Sequence, residues 1–485
     1  MLPRDDIVRD PLYGYIELTE EEINILDTLP LQRLRRLNPT PSASYVYPGA
    51  TGNRLSHSLG VKHLAGLISE NVASRLGMEE IDLRNVRIAG LIHDIGHGPL
   101  SHAFDDFLYD CGIKVNHEMI GFYILNRHQD LIRILPDYDR RLEIAYIAWG
   151  DQVLRNVGVK GNKIKAIEEK KPFIKILSDV IHGPPHCADI LDFVVRDSHY
   201  TGVEYGHIDI RRLTMFTDIW RGKLAVDYRA IEAYEALILA RYNMFRTVYW
   251  HRTSRAFDII LRGALKAVDD YLKMGKTLKK RALRKGMSGI VKGIPKSNKN
   301  VNDYMKLDDG FVFTLVNDIC GSASDKNVPN PVYLAAYRLL HREFPKMAYR
   351  RPETNLWPEL RRAMKALGLR SFDEVITIWK QQIVKDLKRK LSSEDIIIDM
   401  PSLYYIPVHA RPGKPTDIVF FERVNGQFRD KQIPQSSFLY MLDPTLLEFR
   451  IYTFQENLKN KIKKVCEKRW GREEIKPPSR PSTQA

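Results

Sequence analysis

The stretch IAGLIHDIGHGPLSH, residues 88–102, decides how this chain folds. Its first part has the apolar character of a buried helix, and the glycines and proline that follow predict the end of that helix. His93 and Asp94 lie at this end of the helix, and their side chains are about 100° apart around the helix axis. Both side chains can therefore bind one ion only if the ion lies between these two directions. Imidazole nitrogen and carboxylate oxygen are ligands of divalent transition metals. The stretch therefore predicts a helix that carries part of a metal site.

Two further candidate ligands lie in other helical segments. His57 begins one apolar helical pattern, and Asp189 begins another. With His93 and Asp94 they form two imidazoles and two carboxylates, which nearly neutralise a divalent cation and leave positions for water and phosphate. An ion held in this way polarises a phosphoryl oxygen and makes bound water a nucleophile. The chain is therefore predicted to be a phosphohydrolase with one divalent ion per site, drawn from Zn, Mn, Fe, Ni and Mg.

The composition is that of an ordinary globular protein. The chain has 485 residues, 44% of them hydrophobic and 28% charged, a length for which two domains are expected. No apolar run approaches the roughly 18 residues that cross a bilayer, and the start MLPRDDIVRD lacks the apolar stretch of a signal peptide. The four cysteines lie far apart without a C-x-x-C spacing, which argues against a disulfide framework. We therefore expect a cytoplasmic protein with no membrane partner.

The charge is strongly basic. A formal net charge of +15 indicates a polyanionic partner such as a nucleotide, nucleic acid or anionic lipid. The stretch KMGKTLKKRALRKGMSGIVKGIPKSNK, residues 273–299, is rich in Lys and Arg and contains no acid. It fits a nucleic-acid-binding surface and a solvated linker equally well.

Helical periodicity predicts a mainly α protein. Residues 1–270 are expected to form an all-helical core and residues 271–304 a basic linker. Residues 305–470 are expected to form a smaller C-terminal α+β domain, because helical patterns there give way to β-prone runs. The sequence Val-Asn-Gly-Gln at 424–427 predicts a hairpin, since Asn-Gly tolerates positive φ. The last segment, 471–485, contains several prolines and serines and is expected to be a flexible tail.

Three blocks of sequence, taken together, resemble a known superfamily. They are YVYPGATGNRLSHSLGV at 45–61, IAGLIHDIGHGPLSH at 88–102 and ADILDFVVRDSHYTG at 188–202, and they resemble the HD-domain phosphohydrolases. The most similar branch is the deoxynucleoside triphosphate triphosphohydrolases, which includes proteins that join a sterile-alpha motif to an HD domain. The resemblance extends over about residues 7–260 and implies a homo-oligomer. It also implies that the metal ligands are His57, His93, Asp94 and Asp189.

Further side chains are placed beside the predicted ligands. The resemblance implies that His102, Asp105 and His117 form the acid/base set, and imidazole with an ordinary pKa of about 6.5 suits proton transfer to a leaving oxygen. Asp105, three residues after His102 on a helix, is expected to hold its tautomer. His97 is interpreted equally well as a substrate contact or as a hydrogen-bond partner of a ligand. Arg54 corresponds to an arginine that grips phosphate in the family, with a surface ion pair as the alternative.

The residues that would recognise the substrate depart from the family pattern. Pro39 and Thr40 stand where the triphosphohydrolases have a Gln-Leu pair that identifies deoxyribose, and Ile190 replaces a basic residue for phosphate. Phe193 keeps the ring of a stacking tyrosine without its hydroxyl, whereas Asp197 is retained and is expected to bond a sugar hydroxyl. The chemistry is thus predicted to be preserved, while the substrate specificity stays open.

The segment YNMFRTVYWHRTSRAFD, residues 242–258, resembles the helix that lines the nucleotide pocket in the family. Tyr249, His251 and Arg252 are predicted to contact substrate, with core packing and surface pairing as the alternatives. Phe257 and Asp258 stand where relatives have Tyr-Gln near the base.

A second group matches a regulatory site of the family. Asp27, Gln32 and Arg35 correspond in type and spacing to residues that read guanine in the allosteric site of a mammalian relative. Because this pattern recurs in relatives as part of the fold, a structural role is favoured over nucleotide regulation.

Three functions fit the sequence. The first is hydrolysis of a nucleotide, most of all a (deoxy)nucleoside triphosphate. The second is a phosphatase or phosphodiesterase that acts on other phosphate esters. The third is a non-catalytic, nucleic-acid-binding regulatory protein, which the basic stretch and the lost sugar contacts favour. We prefer the first, because four candidate ligands and an acid/base set occur together.

Overall fold

The computed structural model describes residues 5–275, 281–322, 328–351, 362, 364, 365, 372–387, 395–404, 420–425, 427–434, 437, 439 and 445–470. The chain divides into two compact units. The larger unit consists of Met1–Glu343 and Ile406–Leu442, and the smaller of Phe344–Tyr405 and Asp443–Ala485. Every residue predicted to form a site therefore lies in the larger unit.

Helices make up most of the described chain. They are α1 (Glu20–Leu26), α2 (Leu29–Arg33), α3 (Arg54–Leu76), α4 (Glu80–Ile92), α5 (His102–Asp110), α6 (His117–Arg127), α7 (Gln129–Ile134), α8 (Tyr138–Asn156), α9 (Gly161–Lys170), α10 (Ile174–His182), α11 (Ala188–Thr201), α12 (Ile210–Met215), α13 (Ile231–Asn243), α14 (Arg252–Lys273), α15 (Gly286–Gly293), α16 (Asn298–Tyr304), α17 (Asp309–Gly321), α18 (Asn330–Leu340), α19 (Phe372–Asp386) and α20 (Glu456–Trp470). A π-helical segment, Met244–Tyr249, joins α13 to the turn before α14. The prediction of a mainly α protein is confirmed.

The strands are short. They are β1 (Asp6–Asp10), β2 (Gly14–Leu18), β3 (Thr217–Trp220), β4 (Lys223–Asp227), β5 (Lys346–Arg351), β6 (Ile397–Asp399), β7 (Ser402–Tyr404), β8 (Phe420–Val424), β9 (Gln427–Lys431), β10 (Thr445–Leu447) and β11 (Phe449–Thr453).

Helix ends follow ordinary capping chemistry. Thr19 and Glu22 form the capping box that begins α1. The Asn53 side chain accepts a hydrogen bond from a backbone N–H in the first turn of α3, and α3 ends at Gly77 with a left-handed φ of 62°. These caps fix the start of α3, the helix that carries His57.

The helical core brings three helix ends together. α3 packs against α4 and α11, and α8 packs against α4 and α10. The side chains of Ile88, Leu91 and Ile92 on α4 are completely buried in this core. The start of α3, the end of α4 and the start of α11 therefore meet at one place.

Two hairpins accompany the helices of the first 270 residues. β1 and β2 pair antiparallel, with Gly14 at a φ of 75°. β3 and β4 pair across Arg221 and Gly222, whose φ values are 53° and 69°. The second hairpin was not predicted, because an arginine at positive φ leaves no turn signal in a sequence.

The segment predicted to be a basic linker is packed over its described part. α15 and α16 lie there, and Leu283, Ile290 and Val301 are buried. Lys292 and Lys299 are exposed. Apolar residues recurring every three or four positions bury one face of these helices, so the charge alone did not indicate the structure.

The unit boundary also differs from the predicted start of a C-terminal domain at residue 305. α17 and α18 pack against α14, which assigns them to the larger unit. β8 pairs in parallel with β4 through Val226 and Phe420, and β9 continues that sheet. β8 and β9 form the predicted hairpin, with Asn425 at a φ of 51°. The pairing of β8 with β4, in contrast, joins strands that are far apart in the sequence and has no local sequence signal.

The smaller unit combines helices and strands, as predicted. β11 lies between β5 and β6 in an antiparallel sheet, and β10 pairs with β7. Trp379 and Ile383 of α19 and Ile462 of α20 belong to the same buried cluster as Phe449. The predicted flexible tail, 471–485, lies outside the described residues.

Across the described residues, no helix is both long enough and apolar enough to cross a membrane.

Candidate metal and phosphate site

The predicted metal ligands converge where α3, α4 and α11 meet. His57 lies in the first turn of α3, His93 and Asp94 directly follow α4, and Asp189 lies in the first turn of α11. His57 Nε2 is 3.0 Å from Asp189 Oδ1 and 3.8 Å from Asp94 Oδ2. His93 Nε2 is 3.3 Å from Asp94 Oδ1 and 3.8 Å from Asp189 Oδ1. Side chains from distant parts of the sequence thus form one compact group of donors.

His93 provides the test of whether this group fits a cation. Its Nδ1 lies 2.8 Å from the carbonyl oxygen of Gly90, so Nδ1 carries the proton and Nε2 is left as an acceptor. Among the residues that the structure describes, this buried Nε2 has no hydrogen-bond partner, although two carboxylates lie within 3.8 Å. Acceptors that face one another repel unless a cation lies between them. Donor atoms of His57, His93 and Asp189 lie within 4.8 Å of one another, which suits an ion with ligands about 2 Å away.

The electrostatics keep both carboxylates ionised. Burial opposes the charge of Asp94, but the basic groups around it, among them the Arg54 guanidinium, hold its pKa well below the usual range. Burial also opposes the charge of Asp189, whose pKa is lowered by a hydrogen bond from His57. Burial disfavours the charged form of His57, yet hydrogen bonds to Asp189 and Asp192 raise its pKa to about 10. A proton on His57 thus lies between carboxylates, and metal binding would have to displace it.

A buried network holds His57 from behind. Asp192 Oδ2 lies 2.7 Å from His57 Nδ1, and Arg196 donates to the two Asp192 oxygens at 2.8 and 2.9 Å. Tyr13 donates its hydroxyl to Asp192 Oδ1 at 2.8 Å, and Asp10 accepts from Arg196 at 2.9 Å. A carboxylate in this position fixes the tautomer and orientation of a metal-binding histidine. Sequence reasoning missed Asp192, although its spacing to Arg196 on one helix is a pairing signal.

Gly60 gives this network its space. A Cβ at this position would lie 1.8 Å from Asp192 Oδ1 and 2.6 Å from a guanidinium nitrogen of Arg196. Both atoms belong to a buried ion pair that a side chain would have to displace. The close approach of α3 to α11 therefore requires glycine here.

Arg54, the predicted phosphate ligand, lies at the start of α3. Its NH1 is 2.5 Å from Asp94 Oδ2, and its Nε donates to Ser101 Oγ at 2.8 Å. The side chain is only 4% exposed, so this pair is not a surface ion pair. The guanidinium is therefore held beside the predicted metal ligands, where phosphate charge is expected.

The predicted acid/base residues form a second group. His117 Nδ1 lies 2.8 Å from Asp105 Oδ2, and His102 Nδ1 lies 3.5 Å from the same oxygen. The His97 ring stacks on that of His117 with 3.8 Å between centroids, and His97 Nε2 is 3.3 Å from Asp94 Oδ1. Asp105 therefore orients His117 more closely than His102, which was its expected partner. The position of His97 is compatible with both of its interpretations, since it contacts Asp94 and also lines a cavity.

The protonation states within this group differ. Burial opposes the charge of Asp105, but hydrogen bonds to His102 and His117 lower its pKa. Burial also opposes the charge of His117, but the hydrogen bond to Asp105 raises its pKa. For His97, burial and the nearby Arg54 hold the pKa well below the ordinary value. His117 is thus favoured to carry a proton and His97 to be neutral.

One cavity of about 410 Å³ joins these groups. Elsewhere on its wall the Tyr249 hydroxyl donates to Asp197 Oδ2 at 2.6 Å, and burial raises the pKa of Asp197 to about 6. Pro39, Thr40 and Phe193 also line it, at the positions where the family pattern is lost. The predicted residues on its wall are Arg54, His57, His93, Asp94, His97, His102, His117, Asp189, Asp197 and Tyr249.

Two predicted substrate contacts lie elsewhere in the described structure. His251 and Arg252 are not among the residues that line the described cavity. His251 instead begins α14, where its Nδ1 accepts from Thr253 N at 3.2 Å. Arg255 and Asp258, one turn further along, do line the cavity and pair at 2.9 Å. Residues one turn apart share a face of a helix, so helical periodicity within 242–258 does not separate these positions. A role of His251 and Arg252 as substrate contacts stays a prediction.

The predicted regulatory residues form local contacts away from the described cavity. Gln32 donates to the carbonyl oxygen of Leu26 at 2.8 Å, and Arg35 donates to Gln32 Oε1 at 2.8 Å. Asp27 is exposed at the end of α1. These contacts agree with the structural role that was favoured, and nucleotide regulation stays a prediction.

The helices around this site match a known family. Residues 54–149 match the HD domain, and residues 208–305 match the HD associated region. This chain contains a region that matches the HD domain. The match to the HD domain covers α3, α4, the His-Asp pair, α5 to α7 and most of α8, which supply most of the groups described above.

Several curated proteins are similar to this chain. An uncharacterized protein of Methanocaldococcus jannaschii is 30% identical over 62% of this chain and 53% of its own length. Deoxynucleoside triphosphate triphosphohydrolase SAMHD1 of Homo sapiens is 29% identical over 55% of this chain and 45% of its own length. The SAMHD1 homolog of Dictyostelium discoideum is 29% identical over 56% of this chain and 51% of its own length. The chain thus spans about half the length of these relatives.

A solved structure shares the fold. The crystal structure of a hypothetical protein from Aquifex aeolicus has a TM-score of 0.66 and 21% identity, and covers 95% of this chain and 99% of that one. At this identity the likeness concerns the fold alone.

Proposed function

We propose that this protein hydrolyses a phosphate ester or anhydride bond of a nucleotide, with (deoxy)nucleoside triphosphates as its substrates. The observation that carries the proposal is the unpartnered His93 Nε2, which faces two carboxylates within the described structure. Arg54 and His117 line the same cavity. Groups suited to hold a cation, bind phosphate and move a proton are therefore adjacent. The names of the human and Dictyostelium relatives support the substrate class.

A divalent metal ion would complete the site. Its chemistry, when bound, is to polarise a phosphoryl oxygen and lower the pKa of water. The mixed nitrogen and oxygen donors suit Zn, Mn, Fe, Ni or Mg and favour a transition metal. The chain's own part is to fix the donor atoms, as Asp192 fixes the ring of His57. The residues that would hold the ion are His57, His93, Asp94 and Asp189.

Arg54 would bind and orient the substrate phosphate. Its Nε donates a hydrogen bond to Ser101 Oγ, and this bond fixes the orientation of the guanidinium group. A guanidinium beside the reacting group offsets the negative charge that develops on the phosphate oxygens.

His117 would donate a proton to the leaving oxygen. Asp105 engages its Nδ1 and favours the protonated ring, so Nε2 is the atom that transfers the proton. His102, whose side chain is 72% exposed, is the second candidate of the predicted set. His97 is less suited to donating this proton, because its lowered pKa favours the neutral ring.

The part of the cavity wall that carries Asp197 and Tyr249 would receive the nucleoside. Asp197 would accept a hydrogen bond from a sugar hydroxyl. Pro39 and Thr40 line the wall without the Gln-Leu pair, so we expect weak discrimination between ribose and deoxyribose. The cavity volume of about 410 Å³ lies in the range of small-molecule sites.

The test is a panel of substrates offered to the full chain loaded with each candidate metal. Deoxynucleoside and ribonucleoside triphosphates, monophosphates and cyclic nucleotides would be incubated and the products separated. Release of intact inorganic triphosphate is expected. Orthophosphate as the product would indicate a phosphatase instead, and an absence of hydrolysis with every metal would contradict the proposal.

A second candidate is a non-catalytic protein that binds nucleic acid. The exposed basic residues of the described part of the basic stretch favour it, namely Lys273, Arg284, Lys285, Lys292, Lys296 and Lys299. Salt-sensitive binding to single-stranded nucleic acid that His93→Ala leaves unchanged, together with no hydrolysis, would support this function over the first.

A further inference from the structure

The loop that follows the His-Asp pair contains a strained backbone. Leu100 and Ser101 have φ values of 60° and 55°, which residues other than glycine adopt at a cost in free energy. Such a conformation persists when surrounding contacts enforce it. At the start of the loop, the Gly96 carbonyl accepts from the hydroxyl of Tyr304 at 2.8 Å. At the other end of the loop, contacts are also needed that hold Leu100 and Ser101 at positive φ.

Asp309, the first residue of α17, supplies this restraint. Its Oδ1 accepts from the backbone N–H of Leu100 at 2.7 Å, and its Oδ2 accepts from that of Asn38 at 2.8 Å. Burial raises the pKa of Asp309 to about 6, and the two backbone hydrogen bonds oppose that rise. One carboxylate thus joins the strained loop to the segment that leads into Pro39. Asp309 lies outside both parts of the chain that match the HD family.

Ser101 connects this restraint to the phosphate end of the cavity. Its Oγ accepts from Arg54 Nε at 2.8 Å and donates to the Asn38 carbonyl at 2.6 Å. The serine hydroxyl therefore lies between two backbone segments, and Asp309 holds both of them. The position of Ser101 Oγ, and with it the guanidinium of Arg54, depends on this carboxylate.

We propose that Asp309 is a positioning residue for the substrate phosphate, acting through Ser101 on Arg54. The inference rests on the proposed function. Without the carboxylate, the loop relaxes toward ordinary φ values and Arg54 loses the acceptor that fixes its Nε. The guanidinium then keeps only its pair with Asp94, at 2.5 Å, and turns away from the phosphate.

Asp309→Asn in the full chain tests this role. Asparagine has nearly the same shape, but its amide group places an N–H against one of the two backbone N–H donors. We expect kcat/KM for the nucleotide to fall about 10- to 100-fold, as a small displacement of a positioning group does. Bound metal per chain and the melting temperature are expected to stay close to the wild-type values.

Asp308→Asn is the matched control. Asp308 is the N-cap residue of α17, where its side chain accepts a hydrogen bond from Phe311 N at 2.8 Å. It also forms an ion pair with Arg36 at 2.5 Å. Asparagine caps helices as well as aspartate does, so α17 is preserved. We expect kcat/KM close to that of the wild type.

A double-mutant cycle separates positioning from general damage. In an Arg54→Ala background, Asp309→Asn is expected to add little, because the group that it positions is gone. Ser101→Ala leaves the bonds of Asp309 intact and is expected to reproduce the loss, which provides a second variant if Asp309→Asn folds poorly. Additive effects of the Asp309 and Arg54 substitutions, or full activity of Asp309→Asn, would overturn the inference alone. An inactive wild type would overturn the proposed function and the inference with it.

Discussion

The two ends of the cavity differ in how firmly their side chains are held. At the metal end the donors have buried partners, as Asp192 lies behind His57 at 2.7 Å. At the substrate end, where Asp197 and Tyr249 lie, the fixed polar contacts include the hydrogen bond between these two side chains, and the cavity wall also includes Pro39. Buried networks are costly to alter, whereas wall residues are replaced with little effect on folding. The difference indicates that the chemistry is fixed by the fold while the specificity rests on a few contacts.

The largest effect is expected from His93→Ala, which removes a donor from the metal end. We expect a nearly complete loss of bound metal and a fall in kcat of about 10³-fold or more, because the ion's chemistry is lost with it. Metal analysis and nucleotide hydrolysis measure both. His199→Ala, on the exposed surface of α11, is the control and should leave both unchanged. Metal retained at the wild-type level in His93→Ala would mean that the four side chains do not form the site.

A second substitution, Asp105→Asn, tests the proposed proton-transfer group. We expect kcat to fall about 100-fold, since Asp105 orients His117 and favours its protonated form. Because the hydrogen bond raises the pKa of His117, its loss lowers that pKa. The proton donor is then lost at lower pH, so the alkaline limb of the kcat profile should move to lower pH. A profile that keeps its shape would assign the proton to another group, of which His102 is the nearest candidate.

Asp192→Asn asks how much the buried network contributes to the metal end. Asparagine keeps the shape but loses the charge that pairs with Arg196 and orients His57. We expect the metal affinity to fall about 10- to 100-fold, the usual effect of removing the partner of a metal-binding histidine. Competition with a chelator measures this. Asp139→Asn, at a largely exposed carboxylate, is the control, and equal affinities in the two variants would show that the network serves folding alone.

The residues of the metal end could be predicted from the sequence because each of them lies in a short, recognisable motif. The His-Asp pair at a helix end and the blocks around His57 and Asp189 each occupy a short stretch, and the resemblance of these blocks to a known superfamily implied that they converge on one metal site. The residues that support this end come from far away in the sequence. Asp309 acts through backbone groups, and no residue pattern near Leu100 indicates that its N–H needs an acceptor.

The substrate end and the unit boundaries were less predictable for a related reason. His251 and Arg255 are one helical turn apart, and periodicity alone does not show which of them lines the cavity in a segment that contains a π-helix. The basic stretch was weighed by its charge, yet Leu283 and Ile290 bury its apolar face. Tertiary packing decided both cases.

Tyr249→Phe, at the substrate end, is expected to have the smallest effect. It removes the hydroxyl that donates to Asp197 at 2.6 Å. Burial raises the pKa of Asp197 to about 6, and this hydrogen bond opposes the rise, so its loss raises the pKa further. Near neutral pH a larger share of the carboxyl is then protonated and accepts less well from a sugar hydroxyl.

We therefore expect KM for the nucleotide to rise about 2- to 5-fold near neutral pH with kcat unchanged, the scale of one weakened hydrogen bond. The difference should shrink as the pH rises and Asp197 ionises in both proteins. Tyr138→Phe, at a tyrosine that is 41% exposed on α8, is the control. A KM that is unchanged at every pH would remove Asp197 from the substrate contacts, whereas a fall in kcat would place Tyr249 in the chemistry itself.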